Sequence, residues 1–259
     1  KYAEYLYNQT KELLTEFGKI DVLWYDFSYA DKENRGPAFG KGKDDWQSEK
    51  LLKLIRELQP QLLLDDRLNL PDDHPLGAWD FKTPEQAQPR EWVKFNGTPV
   101  VWEACQTFSG SWGYHRDEQS WRSTNELIRC LIDCVSKGGN LLLNVGPTGR
   151  GEFDERAMDR LKGIGQWMRR HSRSIYGCTQ APAEFKPPID GRLTYNPDTK
   201  RLYVHCFAWP YKHLYLDGLA GKVEYAQLLD DASEVKIGID EWHAKQIGAD
   251  VQTLSLIHI

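Results

Sequence analysis

Two acidic side chains, Asp26 and Glu103, lie where apolar runs predict strands of a sheet. Asp26 directly follows the run Ile20–Tyr25, and Glu103 lies in the run Pro99–Cys105. In a parallel α/β sheet the ligand site lies at the carboxyl ends of the strands, so we expect both acids at the same edge. Two carboxyl groups roughly 5–5.5 Å apart can hydrolyse a glycosidic bond with retention, one as nucleophile and one as acid/base.

The residues around these acids suit that chemistry. An apolar aromatic setting raises the pKa of a carboxyl group, as an acid catalyst requires. Arg67 follows a further predicted strand, Gln61–Leu64, in the sequence Asp65-Asp66-Arg67, and an arginine can bind a sugar hydroxyl or a carboxylate. For any single acid the alternative is a helix cap or a loop anchor, and the residue pattern alone leaves both open. The neighbouring aromatic residues are Trp24, Tyr25, Trp102 and Trp112.

The elements that must position these residues alternate between strand and helix, which predicts a parallel sheet with crossover helices. Ser123 and Glu126 form a capping box before the second long amphipathic segment. A polar, proline-rich loop of about 30 residues begins at Asn69. The other predicted elements are helix Lys1–Phe17, helix Asp45–Leu58, strand Asn140–Val145, helix Phe153–His171 and a short strand Ser174–Tyr176.

Beyond Pro182 short alternating runs separated by turn residues predict a small antiparallel β domain. We therefore expect one α/β domain over residues 1–180 and a β domain over 181–253. Residues 254–259 are expected to be a non-native tail, because one possible set of codons for them resembles a sequencing adapter. The alternative is a genuine apolar edge strand. The runs are Arg192–Tyr195, Arg201–Phe207, Lys212–Leu216 and Val223–Leu229.

Composition excludes several classes of protein. The net charge of −5 argues against a nucleic-acid partner, and no apolar run approaches the roughly 20 residues of a membrane span. The 10 Trp and 12 Tyr could provide platforms for sugar rings, although an aromatic core explains them equally well. The five cysteines include no metal-like CxxC pair, and we expect Cys130 and Cys134 to be buried free thiols.

Four segments, in this order, resemble the α-L-fucosidases of glycoside hydrolase family 29. The resemblance covers most of the chain, from about Glu12 to Pro210. The segments are Ile20–Asp26 (IDVLWYD), Trp102–Cys105 (WEAC), Ser111–Tyr114 (SWGY) and Lys137–Pro147 (KGGNLLLNVGP).

This resemblance implies the C-terminal part of a (β/α)8-like (TIM-type) barrel followed by a small antiparallel β-sandwich. It also implies a retaining enzyme that releases α-L-fucose from fucosylated oligosaccharides or glycoconjugates through a covalent fucosyl-enzyme. The nucleophile then falls on Asp26 and the acid/base on Glu103. The expected substrate-binding residues are Trp24, Arg67 and Trp112, with Trp112 against the methyl group of the sugar.

No metal or organic cofactor is expected, and we interpret His115 and His205 as structural or surface residues. By resemblance alone, the protein is expected in the periplasm, outside the cell or in a lysosome. Two alternatives remain open. One is a glycosidase of another specificity, such as a galactosidase, and the other is a non-catalytic carbohydrate-binding homologue.

The histidines that bind fucose in this family lie in early barrel strands that have no counterpart in this sequence. We therefore expect the chain to be a piece of a longer protein and to be unstable or inactive when expressed alone, because a part-barrel exposes open sheet edges and an unfilled core. Thermal unfolding and turnover of residues 1–259 would test this. A sharp cooperative transition together with fucoside turnover would contradict it.

Overall fold

The computed structural model describes residues 1–26, 41–238, 245, 246, 248 and 250–255. It contains two compact units. The first comprises Lys1–Pro84 and Val93–Glu103, and the second comprises the described residues of Glu85–Trp92 and Ala104–Ile259. The described residues contain both helices and strands, as the sequence predicts, so the fold is mixed α/β. No helix in the described ranges is long and apolar enough to cross a membrane.

The first unit is organised around two short parallel strands. Strand β1 (Val22–Leu23) pairs with strand β2 (Leu63–Leu64), with Val22 opposite Leu63. Both strands are shorter than the apolar runs that predict them. Helix α1 (Tyr2–Glu16) precedes β1, and its apolar side joins the core. The buried core residues of this unit are Leu14, Tyr25, Trp46, Leu51, Leu52, Ile55, Leu62, Leu64 and Leu68.

In the described part of the connection between β1 and β2, residues 41–62, two helices lie where the sequence predicts one. Helix α2 (Lys43–Trp46) ends at Gln47, whose φ of 53° is left-handed, and helix α3 (Ser48–Leu58) begins directly afterwards. The predicted helix Asp45–Leu58 is therefore wrong in its first turn. A non-glycine residue in the left-handed region interrupts the helical hydrogen bonds, and an apolar repeat that continues on both sides gives no sign of it.

The predicted 30-residue loop contains a hairpin. Strands β3 (Lys94–Phe95) and β4 (Thr98–Pro99) are antiparallel and joined by Asn96 and Gly97, with φ of 48° and 78°. Asn-Gly with two positive φ values is the preferred two-residue hairpin turn. Pro99, the first residue of the predicted strand Pro99–Cys105, belongs to the hairpin instead. The following strand, β5, therefore begins later than predicted and spans Glu103–Thr107. Glu103 therefore begins a strand, and its predicted place at a carboxyl end is wrong.

In the second unit, β5 neighbours strand β6 (Asn140–Asn144), and helix α4 (Thr124–Val135) connects them. The predicted capping box is confirmed. The backbone N–H of Glu126 donates to Ser123 Oγ over 3.2 Å, and the N–H of Ser123 donates to Glu126 Oε2 over 2.6 Å. The apolar side of α4 packs against helix α5 (Glu155–His171).

After α5 the chain forms a 3₁₀ turn, Ser172–Ser174, where a short strand is predicted. The strands that follow are β7 (Thr179–Gln180), β8 (Gly191–Asn196), β9 (Arg201–Cys206), β10 (His213–Leu216), β11 (Lys236–Gly238) and β12 (Gln252–Ser255). They form two three-stranded antiparallel sheets, in the orders β7-β8-β9 and β10-β12-β11. The end of the predicted tail, residues 256–259, lies outside the described residues, whereas Leu254 is buried in β12 opposite Leu214.

Cys130 and Cys134 are both buried and unbridged on α4, which confirms the prediction of free thiols. His205 packs against Trp167, and its ring lies 2.9 Å from Thr194 Oγ1. Burial lowers the pKa of His205 to about 4, so the ring is neutral at physiological pH. This agrees with a structural role for His205, and His115 is exposed.

Gly138, three residues after the end of helix α4, cannot be replaced by another residue without strain. Gly138 has a φ of 72°, and a Cβ there would lie 2.5 Å from ring atoms of Trp92. We expect Gly138→Ala to lower the free energy of unfolding by about 1–3 kcal/mol, since both the backbone and a rigid ring oppose it. The matched control is Gly165→Ala in α5, where a Cβ meets open space; it should raise stability by about 0.5–1 kcal/mol. Urea denaturation would measure both, and equal effects would contradict this account of the helix stop.

Candidate active site

Asp26 and Arg67 face each other at the carboxyl ends of the two parallel strands. Each lies three residues beyond the end of its strand, Asp26 after β1 and Arg67 after β2. Arg67 Nη1 donates to Asp26 Oδ1 over 2.7 Å. Half of the Asp26 side chain is exposed, against 17% of Arg67. The Asp26 carboxylate is therefore accessible to solvent, while the Arg67 guanidinium that it contacts is largely enclosed by the protein.

Thr83 fixes the guanidinium from behind. Arg67 Nε donates to Thr83 Oγ1 over 3.0 Å, and Thr83 Oγ1 donates in turn to Asp66 Oδ1 over 2.6 Å. Thr83 is buried, so its hydroxyl connects Arg67 to the neighbouring acid without intervening solvent. This arrangement leaves the Nη1 edge of Arg67 directed at Asp26.

Trp24 links this ion pair to Glu103. The Arg67 guanidinium carbon lies 4.9 Å from the centre of the Trp24 ring, a cation–π distance. The indole N–H of Trp24 donates to Glu103 Oε1 over 3.2 Å. Trp24 also packs against Phe81, with ring centres 6.1 Å apart. One aromatic side chain thus contacts both the cation that holds Asp26 and the second carboxyl group.

The electrostatic setting of Glu103 suits a proton donor. Burial raises the pKa of Glu103 above its ordinary value by disfavouring the charged form, while the hydrogen bond from Trp24 acts in the opposite direction. The net result is a raised pKa, so this carboxyl group retains its proton to higher pH than an exposed glutamate.

Asp65 lies two residues before Arg67 in the chain and is fully buried. Its Oδ1 accepts a hydrogen bond of 3.2 Å from the backbone N–H of Tyr25, the residue before Asp26. Burial raises the pKa of Asp65 to about 7, against the lowering effect of the Tyr25 N–H. Asp65 Oδ2 is buried and makes no hydrogen bond within the described part of the chain.

Trp112 belongs to the second unit, in the loop after β5. Its backbone oxygen accepts a hydrogen bond of 2.6 Å from Asn144 Nδ2 at the end of β6, and the side chain is 41% exposed. Gly146 packs directly against this loop, because a Cβ there would lie 2.5 Å from the backbone of Gly113 and Tyr114. Within the loop, Glu118 Oε2 accepts a 2.7 Å hydrogen bond from Ser111 Oγ. The loop that carries Trp112 is therefore held by the end of β6 and braced by a hydrogen bond of its own.

The structure brings together four of the five residues that the sequence singles out, namely Asp26, Arg67, Trp24 and Glu103, within the first unit. The fifth, Trp112, is described with the second unit. Sequence reasoning missed Thr83, whose segment has no periodic pattern. It noted Asp65 and Asp66 only as polar residues after a strand and did not anticipate that one is fully buried.

The model of the α-L-fucosidase family matches residues 1–173, about two thirds of the sequence. This chain belongs to the α-L-fucosidase family. Among curated members, the Dictyostelium discoideum α-L-fucosidase is 28% identical over 185 residues, which are 68% of this chain and 36% of that protein. The human plasma α-L-fucosidase is 34% identical over 116 residues, or 43% and 25% of the two chains.

Solved α-L-fucosidases resemble the whole chain. The isoenzyme 1 of Paenibacillus thiaminolyticus superimposes with a TM-score of 0.87 at 39% identity, covering 99% of this chain and 58% of that one. A family 29 α-L-fucosidase of Bacteroides thetaiotaomicron, trapped as a covalent intermediate with 2-fluoro-fucosyl fluoride, gives 0.79 at 25% identity, covering 98% and 57%. The chain thus spans just over half the length of these structures and about a third or less of the first curated relatives.

The burial of Asp65 should make the free energy of unfolding depend on pH. Its pKa of about 7 in the folded protein lies well above that of an exposed aspartate, so the folded state binds more protons than the unfolded state between about pH 4 and 7. The free energy of unfolding contributed by this group therefore falls as pH rises through that window. The loss over the whole window is on the order of 4 kcal/mol. Asp65→Asn cannot titrate, so we expect it to gain stability relative to wild type from pH 4 to 7, with a constant difference above pH 8.

Urea denaturation of both proteins at several pH values would measure this difference. Asp21→Asn is a suitable control, because Asp21 is exposed in the same unit and pairs with Lys19 at the surface. A pH-independent difference between Asp65→Asn and wild type would contradict a neutral buried carboxyl group.

Proposed function

We propose that the protein containing this chain is a retaining α-L-fucosidase that releases fucose from fucosylated glycans, with Asp26 as nucleophile and Glu103 as acid/base. The observation that carries this proposal is the continuous set of contacts from Asp26 through Arg67 and Trp24 to Glu103. It gives two carboxyl groups different environments. One is half exposed on a cation, and the other is half buried with a raised pKa.

In the first step, a carboxylate oxygen of Asp26 attacks the anomeric carbon of the fucosyl residue. The bond from that carbon to the leaving oxygen breaks, and Glu103 transfers its proton to this oxygen. The raised pKa of Glu103 supports the role of proton donor, because burial lets the group keep its proton to higher pH than an exposed glutamate. The product of this step is a fucosyl ester of Asp26 and a Glu103 carboxylate.

In the second step, Glu103 removes a proton from a water molecule as that water attacks the anomeric carbon. The ester bond to Asp26 breaks, fucose leaves with its original configuration, and both carboxyl groups return to their starting states. Arg67 orients Asp26 through the 2.7 Å hydrogen bond, so the nucleophile does not have to be ordered at each turnover. Trp24 and Trp112 are proposed to contact the sugar, Trp112 at its methyl group.

We also propose that the α/β part belongs to a (β/α)8-like barrel over residues 1–180 and that residues 181–253 form a β-sandwich. The parallel pair β1–β2 with its intervening helices supports the barrel. The sandwich is supported by the two three-stranded antiparallel sheets and by the apolar cluster to which both of them contribute residues.

The function is tested with the full-length gene product on a dinitrophenyl α-L-fucoside. We expect Asp26→Ala to lower kcat by at least about 10³-fold, since the covalent step is lost. Azide, in place of the missing carboxylate, should then form β-L-fucosyl azide. Glu103→Gln should slow release of the covalent intermediate by about 10²–10⁴-fold, and azide should restore turnover while forming α-L-fucosyl azide. The opposite configurations of the two azides separate the two roles.

Each result that departs from this pattern has a definite meaning. Turnover of a galactoside in preference to the fucoside would indicate another sugar specificity, and binding without turnover would indicate a carbohydrate-binding homologue. Full activity in Asp26→Ala would refute Asp26 as nucleophile. Formation of α-L-fucosyl azide by Glu85→Gln but not by Glu103→Gln would transfer the acid/base role to Glu85, whose backbone forms a parallel bridge with Cys105 of β5.

A further inference from the structure

Strand β1 is held by a side chain at each end. Before the strand, Gln59 Oε1 accepts a hydrogen bond of 2.7 Å from the backbone N–H of Ile20. After the strand, Asp65 Oδ1 accepts one of 3.2 Å from the backbone N–H of Tyr25. Both side chains are buried, and both come from the segment that leads into or out of β2. The two contacts have the same chemistry but different neighbours, because only the second one adjoins Asp26.

Asp65 lowers the stability of the fold more than other residues that could accept the hydrogen bond from Tyr25 would. It is fully buried, and one of its two oxygens has no hydrogen-bond partner among the described residues. A buried carboxyl group that is not fully hydrogen-bonded costs stability, whether it is charged or neutral. Costs of this kind occur where a site requires a fixed geometry. The equivalent contact at the other end of the strand is made by an amide, Gln59, which also donates to the backbone oxygens of Leu14 and Gly18.

The backbone around Asp65 strengthens the contact. The N–H of Asp65 donates to the oxygen of Leu23 over 3.3 Å, while its side chain accepts from Tyr25. Asp65 thus bonds to the backbone on both sides of Trp24. The ring of Tyr25 is anchored separately, because its hydroxyl lies 2.7 Å from Thr10 Oγ1 of α1. The residues immediately before Asp26 therefore have little freedom to move.

We propose that Asp65 is a positioning residue of this site. Its side chain holds the backbone of Tyr25 so that the carboxylate of Asp26 stays on Arg67 and its reactive oxygen stays in line with the substrate. This inference rests on the proposed function, since it assumes that Asp26 is the nucleophile. Asp65 does not touch the substrate and acts only through Tyr25 and Asp26. Loss of the contact misplaces the nucleophile and leaves the rest of the sugar pocket unchanged.

The test compares four variants of the full-length gene product on an aryl α-L-fucoside. Asp65→Leu removes the acceptor, and a displacement of about 1 Å at a nucleophile can cost on the order of 10²-fold in rate. We expect kcat to fall about 10–100-fold while KM changes by less than about threefold. Asp65→Asn retains an acceptor oxygen and should keep kcat within about threefold of wild type. Asp65→Ala, which leaves space for water, decides the question if the Leu variant does not fold.

Gln59→Leu is the matched control, because it removes the same type of contact at the other end of β1. It should lower the denaturation midpoint but leave kcat per folded molecule within about threefold. Three results would overturn the inference: an unchanged kcat in folded Asp65→Leu or Asp65→Ala, an equal loss of kcat in Gln59→Leu, or a loss in Asp65→Asn as large as in Asp65→Leu.

Failure of this inference is distinguishable from failure of the proposed function. If wild type hydrolyses the fucoside and Asp26→Ala does not, but the Asp65 variants retain full kcat, only the positioning role is wrong. If wild type itself does not hydrolyse the fucoside, the proposed function fails and the positioning role fails with it.

Discussion

The ion pair between Arg67 and Asp26 depends on the parallel pairing of β1 and β2. Two strands that run in the same direction and end at the same level deliver their following residues to one place, and here those residues have opposite charges. An antiparallel pair would put them at opposite ends. The remaining contacts of the first unit refine this arrangement. Thr83 orients the guanidinium, Trp24 lies under it, and Glu103 bonds to Trp24.

The site brings together two carboxyl groups whose surroundings differ sharply. Asp26 is half exposed, whereas Asp65, which accepts a hydrogen bond from the residue before Asp26, is fully buried. A protein selected for stability alone gains nothing from a second, buried carboxyl group beside an ion pair. Its presence is understandable if the geometry of the exposed acid matters more than the free energy that the buried one costs.

Some of this could be predicted from sequence and some could not. The approach of Arg67 to Asp26 follows from the order strand, helix, strand, because parallel strands place their carboxyl ends together. The Asn96–Gly97 hairpin carried a known signal in the sequence. By contrast, nothing in the sequence around Gln47 distinguishes a left-handed residue from a helical one. The role of Thr83 arises only from its contact with a residue 16 positions earlier, which no local pattern encodes.

Gly146 has a consequence for how proteins of this kind can diverge. The backbone of the loop at Gly113 and Tyr114 lies where any side chain at position 146 would have to go. Position 146 is therefore closed to variation for as long as the loop keeps its path. The loop itself is open to solvent over much of its length. Substitutions at the exposed side chains of residues 109–118 therefore meet fewer steric limits than a substitution at position 146, and the support at the end of β6 stays the same.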